Sequence, residues 1–377
     1  MKKMLFALAL LLVAVPTEAQ TLPDRKATLE TLVQVNDYLM NVRYADPTAV
    51  MPYPSRRKSY ESNIWTRAVY YEGLMALYAI HPDNSYYDNA CRWADYHRWG
   101  MRRDDTTTRN ADNYCCSQTY IDLYRLEARP ERLRKTASLV EMLVSSPQIE
   151  DWTWIDAIQM GMPVLTKYGR LTGDERCFDK AREMYLWSRN TLAGGLYNPK
   201  AGLWWRDKDF VPPYQNQNGK TCYWSRGNGW VVAALVRVLQ DLPAKHADRK
   251  LYERDLSQMC RALLECQRED GFWNVNLADP DDFGGKELTG TALFVYGMAW
   301  GMNNGVLSRE EFLAPTLKAW NAMVEQAVHE NGFLGYVQGT GKEPKDGQPV
   351  AYDSVPDFED YGTGCFLLAG TEIYRLK

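Results

Sequence analysis

Histidine is scarce in this chain. There are four in 377 residues, His81, His97, His246 and His329. All lie on or just after helical stretches. That argues against chemistry built on imidazole, including histidine-based sugar epimerisation, and against a metalloenzyme. No CxxC pair and no Cys/His cluster occurs, so a zinc site is not expected. A glycine-rich phosphate loop and a GxSxG elbow are both missing, which removes two common enzyme classes. Charge excess is missing too. The net charge is -4, and nothing in it points to nucleic acid or an anionic membrane surface as partner.

Hydrophobic residues make up 45% and charged residues 24%, ordinary values for a soluble globular protein. The aromatics stand out, with 13 Trp and 24 Tyr. Such side chains stack on sugar rings and also fill cores. The first residues read MKKMLFALALLLVAVPTEAQ. Two lysines lead, an apolar run covers Met4 to Val15, and small residues follow. This is the pattern of a secretory signal peptide, residues 1–19, cut after Ala19. The run is too short to span a membrane, and no cysteine follows the cut to carry a lipid. The expected product is an exported protein, periplasmic or secreted, with no membrane anchor. Export permits disulfides. However, most of Cys91, Cys115, Cys116, Cys177, Cys222, Cys260, Cys266 and Cys365 sit in apolar helical stretches, where buried free thiols are the simpler expectation.

A repeat emerges when the apolar segments are aligned by their starts. Six of them are apolar nearly all round, beginning at Trp65, Cys116, Trp154, Gly227, Thr289 and Tyr361. A helix without a polar face has to be buried on every side. Between them lie six one-faced helices, about 24–41, 86–98, 130–145, 175–190, 244–267 and 309–330. Six buried helices alternating with six amphipathic ones predict an all-α (α/α)6 toroid, an inner barrel inside an outer sleeve. With no linker or composition break, residues 20–377 read as a single domain. The phrases GGLYNPKAGLWWRD, EDGFWNVNLADP and ENGFLGYVQ predict short hairpins or loops at the mouth. Inner helices starting at that mouth would aim their free N–H groups at one cavity, which suits an anionic ligand.

The polar residues at those starts are the candidates. Asp156 sits among Trp154, Ile155, Ala157 and Ile158. Burial there would raise its pKa and make it a general acid; an N-cap role fits the same residue. Asp112, in ADN with Asn113, reads equally as partner or cap. Arg226 in CYWSRGNGW has the planar fork that grips a carboxylate, or a structural ion pair. Trp224 and Trp230 would stack on sugar or line the core. Asn228 between two glycines suggests a left-handed backbone. Lys286 and Glu287 look like helix-start residues, and Asp357, Glu359 and Asp360 precede the sixth helix.

YWSRGNGWVVAALVRVL, WIDAIQMGMPVLTKYGRLTGD, KELTGTALFVYGMAWGMNNG and YGTGCFLLAGTEIYRL resemble glycoside hydrolase family 105, the unsaturated rhamnogalacturonyl hydrolases, and the related family 88. The resemblance runs from about Trp65 to the C-terminus. It implies the same toroid, no metal and no cofactor. It implies an oligosaccharide substrate ending in a 4,5-unsaturated uronate, rhamnogalacturonan or pectin-type, attacked by hydration of its double bond. By this resemblance Asp156 is the catalytic aspartate and Asp112 its partner. Trp154, Trp224, Arg226 and Trp230 line the pocket, with Arg226 on the substrate carboxylate. Two departures touch the pocket rim. Arg206 stands where many members carry a histidine, and Asn113-Tyr114 where some have Asp-His. Two alternatives stay open. A conventional inverting glycosidase would need a second carboxylate such as Glu287 or Asp360. A non-catalytic oligosaccharide-binding protein would keep the pocket and lose turnover.

Overall fold

The computed structural model describes residues 21–53, 57–356 and 360–377. Residues 1–19, expected to be a signal peptide, and Asp357 and Glu359 fall outside these residues. Helices α1 (Arg25–Asp37), α2 (Trp65–Tyr78), α3 (Asn84–Tyr96), a short α4 (Ala111–Tyr114), α5 (Ser117–Leu126) and α6 (Pro130–Ser145) make up the first half. The second half holds α7 (Asp156–Thr172), α8 (Glu175–Asn190), α9 (Ser225–Asp241), α10 (Arg249–Leu264), α11 (Leu288–Asn303), α12 (Arg309–Ala327) and α13 (Asp360–Arg375).

The inner helices close a ring. Each of α2, α5, α7, α9, α11 and α13 packs on the next, and α13 packs back on α2. Outside them α1, α3, α6, α8, α10 and α12 pack on inner helices as a sleeve. The cause is legible in the residues. In α11 every side chain from Leu288 to Gly301 is buried, so no face is left for water. The sleeve helices bury one stripe, and three of them start with side-chain caps: Asp24 accepts from Ala27 N, Asp83 from Ser85 N and Asp174 from Arg176 N, while α6 has Pro130 at its first position.

Ring closure depends on small residues at the α2–α13 seam. A Cβ on Gly364 would lie 2.3 Å from the Val69 carbonyl oxygen, and one on Gly73 2.5 Å from that of Gly364. The same seam holds a buried ion pair, Arg67 Nε to Asp360 Oδ2 at 3.0 Å, with side chains 2% and 0% exposed.

The expected hairpins are small. Strand β1 (Met51–Tyr53) pairs antiparallel with β2 (Lys58–Tyr60), which the helix pattern did not signal. Strand β3 (Tyr197–Asn198) pairs with β4 (Leu203–Trp204) inside the predicted GGLYNPKAGLWW phrase. The other two phrases carry only isolated bridges, Trp273 to Glu287 and Val328 to Leu334 among them. All eight cysteines are free, and six are buried. Among the described residues no helix is long and apolar enough to cross a membrane.

Candidate active site

The site is built where the starts of the inner helices meet. Asn228 does the first piece of work from the first turn of α9. It accepts from Trp204 N at 2.8 Å and donates to Trp204 O at 3.0 Å. Its backbone is helical, not left-handed as the flanking glycines suggested. Those glycines serve close packing: a Cβ on Gly227 or Gly229 would press to 2.9 Å on Ile155 or Leu293. With β4 pinned to α9, the chain beyond it pairs with the approach to α7. Trp154 bridges Asp207, and Ile155 N donates to Arg206 O at 3.0 Å. This pairing sets Arg206 beside Asp156.

A cavity of about 540 Å3 opens here, the size of a small-ligand site. Asp112, Trp154, Asp156 and Arg206 all line it, so four of the eight expected site residues come together. Asp156 is the first residue of α7. Its Oδ2 is buried with no hydrogen-bond partner among the described residues. Burial raises its pKa, and the charges of Arg206 and Arg226 oppose that rise. Asp112, in the first turn of α4, is pushed up to about 7, by burial first and then by the negative charge of Asp156. Two carboxyls that repel each other in a walled cavity keep a proton to higher pH than either would alone. Such a pair can deliver a proton and take one back.

Arg206 is the cation set against this pair. Its Nη1 binds Asp207 Oδ2, and its Nε is buried without a partner among the described residues. Its charge lowers the proton affinity of both aspartates. Replacing Arg206 by methionine therefore raises both pKa values. Turnover that needs the pair's proton should fall about tenfold per pH unit above roughly 7 in the wild type. In the variant this falling limb should move up by about one unit. A pH–rate profile for each protein checks this, and an unmoved limb would show that Arg206 does not act on the pair.

The other four expected residues are elsewhere. Asn113 donates to Thr108 Oγ1 at 3.0 Å, off the cavity wall. Trp224 and Trp230 are fully buried. Trp230 reaches the site only by packing edge-on against Trp65, centroids 6.1 Å apart, and Trp65 is the ring that lines the cavity. Arg226 is 1% exposed. Its Nη1 is committed to Gln338 O at 2.7 Å, Gly339 O at 3.0 Å and the Tyr361 hydroxyl at 3.0 Å. This nitrogen grips a loop backbone, while Nε of the same guanidinium is buried with no hydrogen-bond partner among the described residues. The fold brings three oxygens to that nitrogen before any ligand arrives. None of the four histidines lines the cavity.

Sequence reasoning passed over Trp65, Asp207, Lys208, Gly341 and Lys342, all of which line the cavity. Trp65 carried a signal, since it opens the first inner helix. Gly341 and Lys342 sit in a loop with no periodic pattern and carried none.

The two carboxylates named for the inverting alternative, Glu287 and Asp360, are committed elsewhere. Asp360 is spent on Arg67. Glu287 caps α11, accepting from Thr289 N at 2.9 Å, Gly290 N at 2.6 Å and Ser225 Oγ at 3.2 Å. Both are fully buried and off the cavity wall. Glu287→Gln should cost about 1–3 kcal/mol of stability while kcat stays within a few-fold. A large loss of kcat in a folded variant would restore the inverting reading.

Comparison with known proteins agrees with this fold. The family described as Glycosyl Hydrolase Family 88 matches residues 32–377, nearly the whole chain. The chain belongs to that family. It is a glycoside hydrolase with the six-hairpin fold of its relatives. One of those is the unsaturated 3S-rhamnoglycuronyl hydrolase of Formosa agariphila, 30% identical over 333 residues, 83% of this chain and 85% of that protein. A solved family 88 glycosyl hydrolase from Bacteroides vulgatus superposes with a TM-score of 0.83 at 30% identity, covering 93% of this chain and 99% of that one. A family 105 glycoside hydrolase from C. acetobutylicum superposes with a TM-score of 0.71 at 21% identity, over 92% and 99% of the two chains, and shares the fold.

Proposed function

We propose that this family 88 hydrolase removes a terminal 4,5-unsaturated uronate from oligosaccharides by hydrating the C4=C5 double bond. The observation that carries the reading is the Asp112–Asp156 pair, raised in pKa and facing one cavity, with Glu287 and Asp360 withdrawn into structural bonds. Asp156 gives its proton to C4. Water adds its oxygen at C5 and returns a proton to the Asp156 carboxylate, restoring the starting state. The hemiketal at C5 opens, and the remaining sugar leaves from C1 as an alcohol. Asp112 is the second carboxyl of the pair and faces the same cavity as Asp156. Trp154 and Trp65 wall the ring, and Arg206 supplies the positive charge that an anionic substrate needs.

The name of the Formosa agariphila relative supports a rhamnose next to the uronate. The sequence resemblance to rhamnogalacturonyl hydrolases agrees with rhamnose and leaves the uronate open between glucuronate and galacturonate type. The test is loss of ultraviolet absorbance of the conjugated acid in lyase digests of a rhamnose–glucuronate polymer and of pectin, run in parallel. Loss in either digest supports hydration. If absorbance holds while the digest still binds, the oligosaccharide-binding alternative replaces the enzyme. The lysine-led apolar run at residues 1–19 supports export, and a mature protein beginning at Gln20 would show the cut.

A further inference from the structure

The mouth loop at 339–347 is closed at its neck and braced inside. Gly339 N donates to Gly347 O at 3.2 Å. Asp346 Oδ2 accepts from Lys342 N at 2.8 Å and Glu343 N at 3.2 Å. The tip, Gly341 and Lys342, forms part of the cavity wall. At the root of this loop stands Gln338, fully buried. Its Nε2 gives one hydrogen to Pro344 O and one to Asp346 O, both at 2.8 Å, from inside the loop. Its Oε1 accepts from Trp224 Nε1 at 2.9 Å. Its own carbonyl accepts from Arg226 Nη1 at 2.7 Å and from the Tyr361 hydroxyl. Both amide hydrogens and both oxygens are engaged, so the side chain has one orientation available to it.

The bonds from Trp224 and Arg226 to the loop therefore end on Gln338 and its neighbour Gly339, and Tyr361, the third partner of Arg226 Nη1, itself donates to Gln338 O. We propose that Gln338 is the positioning residue of this site: it joins Trp224 and Arg226 to the 339–347 loop and so fixes the wall that the loop presents to substrate. The proposal rests on the uronyl hydrolase reading for its substrate and on the hydrogen-bond geometry alone for the loop. The loop stands beside the reacting ring and carries no acid or base that the hydration uses. Its loss is thus felt in binding more than in proton transfer.

The test uses the full mature chain and the isosteric Gln338→Met. Kinetics are measured on an unsaturated uronyl disaccharide, and amide hydrogen exchange on residues 340–346 without ligand. The expected result is faster exchange confined to the loop, KM raised about tenfold, and kcat within about threefold of wild type. Trp224→Phe removes the indole donor together with part of a buried ring, leaves the other bonds of Gln338 in place, and should raise KM less. The double variant should be no worse than Gln338→Met, since both changes cut one connection. Additive losses in KM, a fall in kcat with KM unchanged, or unchanged loop exchange would each overturn the proposal. If Gln338→Met does not fold, Tyr361→Phe replaces it, removing one hydroxyl from the Gln338 carbonyl, and must move loop exchange and KM in the same direction. A wild type that neither turns over nor binds the disaccharide defeats the hydrolase reading instead, and loop exchange then decides the positioning role by itself.

Discussion

Asp156→Asn should lower kcat by about 10^3-fold or more while leaving the fold intact. Asparagine has the same shape but carries no transferable proton. Asp156 is assigned both the protonation of C4 and the recovery of a proton from water, so the loss should lie at the upper end of the 10^2–10^4 range for acid–base groups. Stability should move the other way. The folded-state pKa of Asp156 is raised, chiefly by burial. A carboxyl of that kind contributes stability below its unfolded pKa and loses it as pH rises through the folded value. The neutral amide escapes that loss, so the variant's advantage in melting temperature should be nil near pH 4 and grow toward neutral pH. A smaller opposing term is the favourable interaction of a carboxylate with the start of α7, about 0.3–1 kcal/mol. The measurement is absorbance loss for kcat and thermal melting at two pH values. An active variant would remove Asp156 from the mechanism. An inactive and unfolded one would contradict the reading of its burial.

Gly364→Ala should destabilise the protein by about 3 kcal/mol or more, the high end for overpacking. The added methyl carbon would lie 2.3 Å from Val69 O and 2.8 Å from Tyr70 Cα. These are backbone atoms of α2, and no rotamer change can clear them. The helices must part, and they are the pair that closes the ring. Parting them also stretches the buried Arg67–Asp360 bond, whose loss leaves a charge without compensation. Activity should fall with stability, because Trp65 and Tyr361, whose rings lie 5.2 Å apart, sit at the mouth end of the same seam. Thermal melting checks the first effect, with Ser138→Ala on the exposed face of α6 as a control expected within about 0.5 kcal/mol. A melting temperature unchanged from wild type would mean that the seam relaxes at no cost.

Much of this was present in the order of residues. An apolar pattern on all faces states that a helix is buried, and a one-faced pattern states that it is not. Their sixfold alternation leaves few closed arrangements, and the ring is the one found. Asp156 was legible for the same reason, since a carboxyl in an apolar helix start has to be buried and has to be raised in pKa. The cysteines likewise announced their state by sitting in apolar helices, and all eight are free.

Arg226 was not legible in that way. Its residue type offers a fork for any carboxylate or carbonyl oxygen, and the chain supplies one 112 positions away in Gln338. Local sequence cannot rank such partners, because loop closure over that distance is decided by the whole packed ring. The same holds for Gly341 and Lys342, carried to the cavity by a loop without periodicity, and for Asp207, placed by a single bridge to Trp154. The sequence by itself determined which segments are helical, which are buried and which aspartate at an apolar helix start is raised in pKa. These follow from transfer of side chains out of water, a property each residue carries with it. Only the tertiary structure decided which polar groups meet in the cavity and which are consumed in building its walls. A hydrogen bond is a matter of position within a few tenths of an ångström, and position is fixed by the ring as a whole.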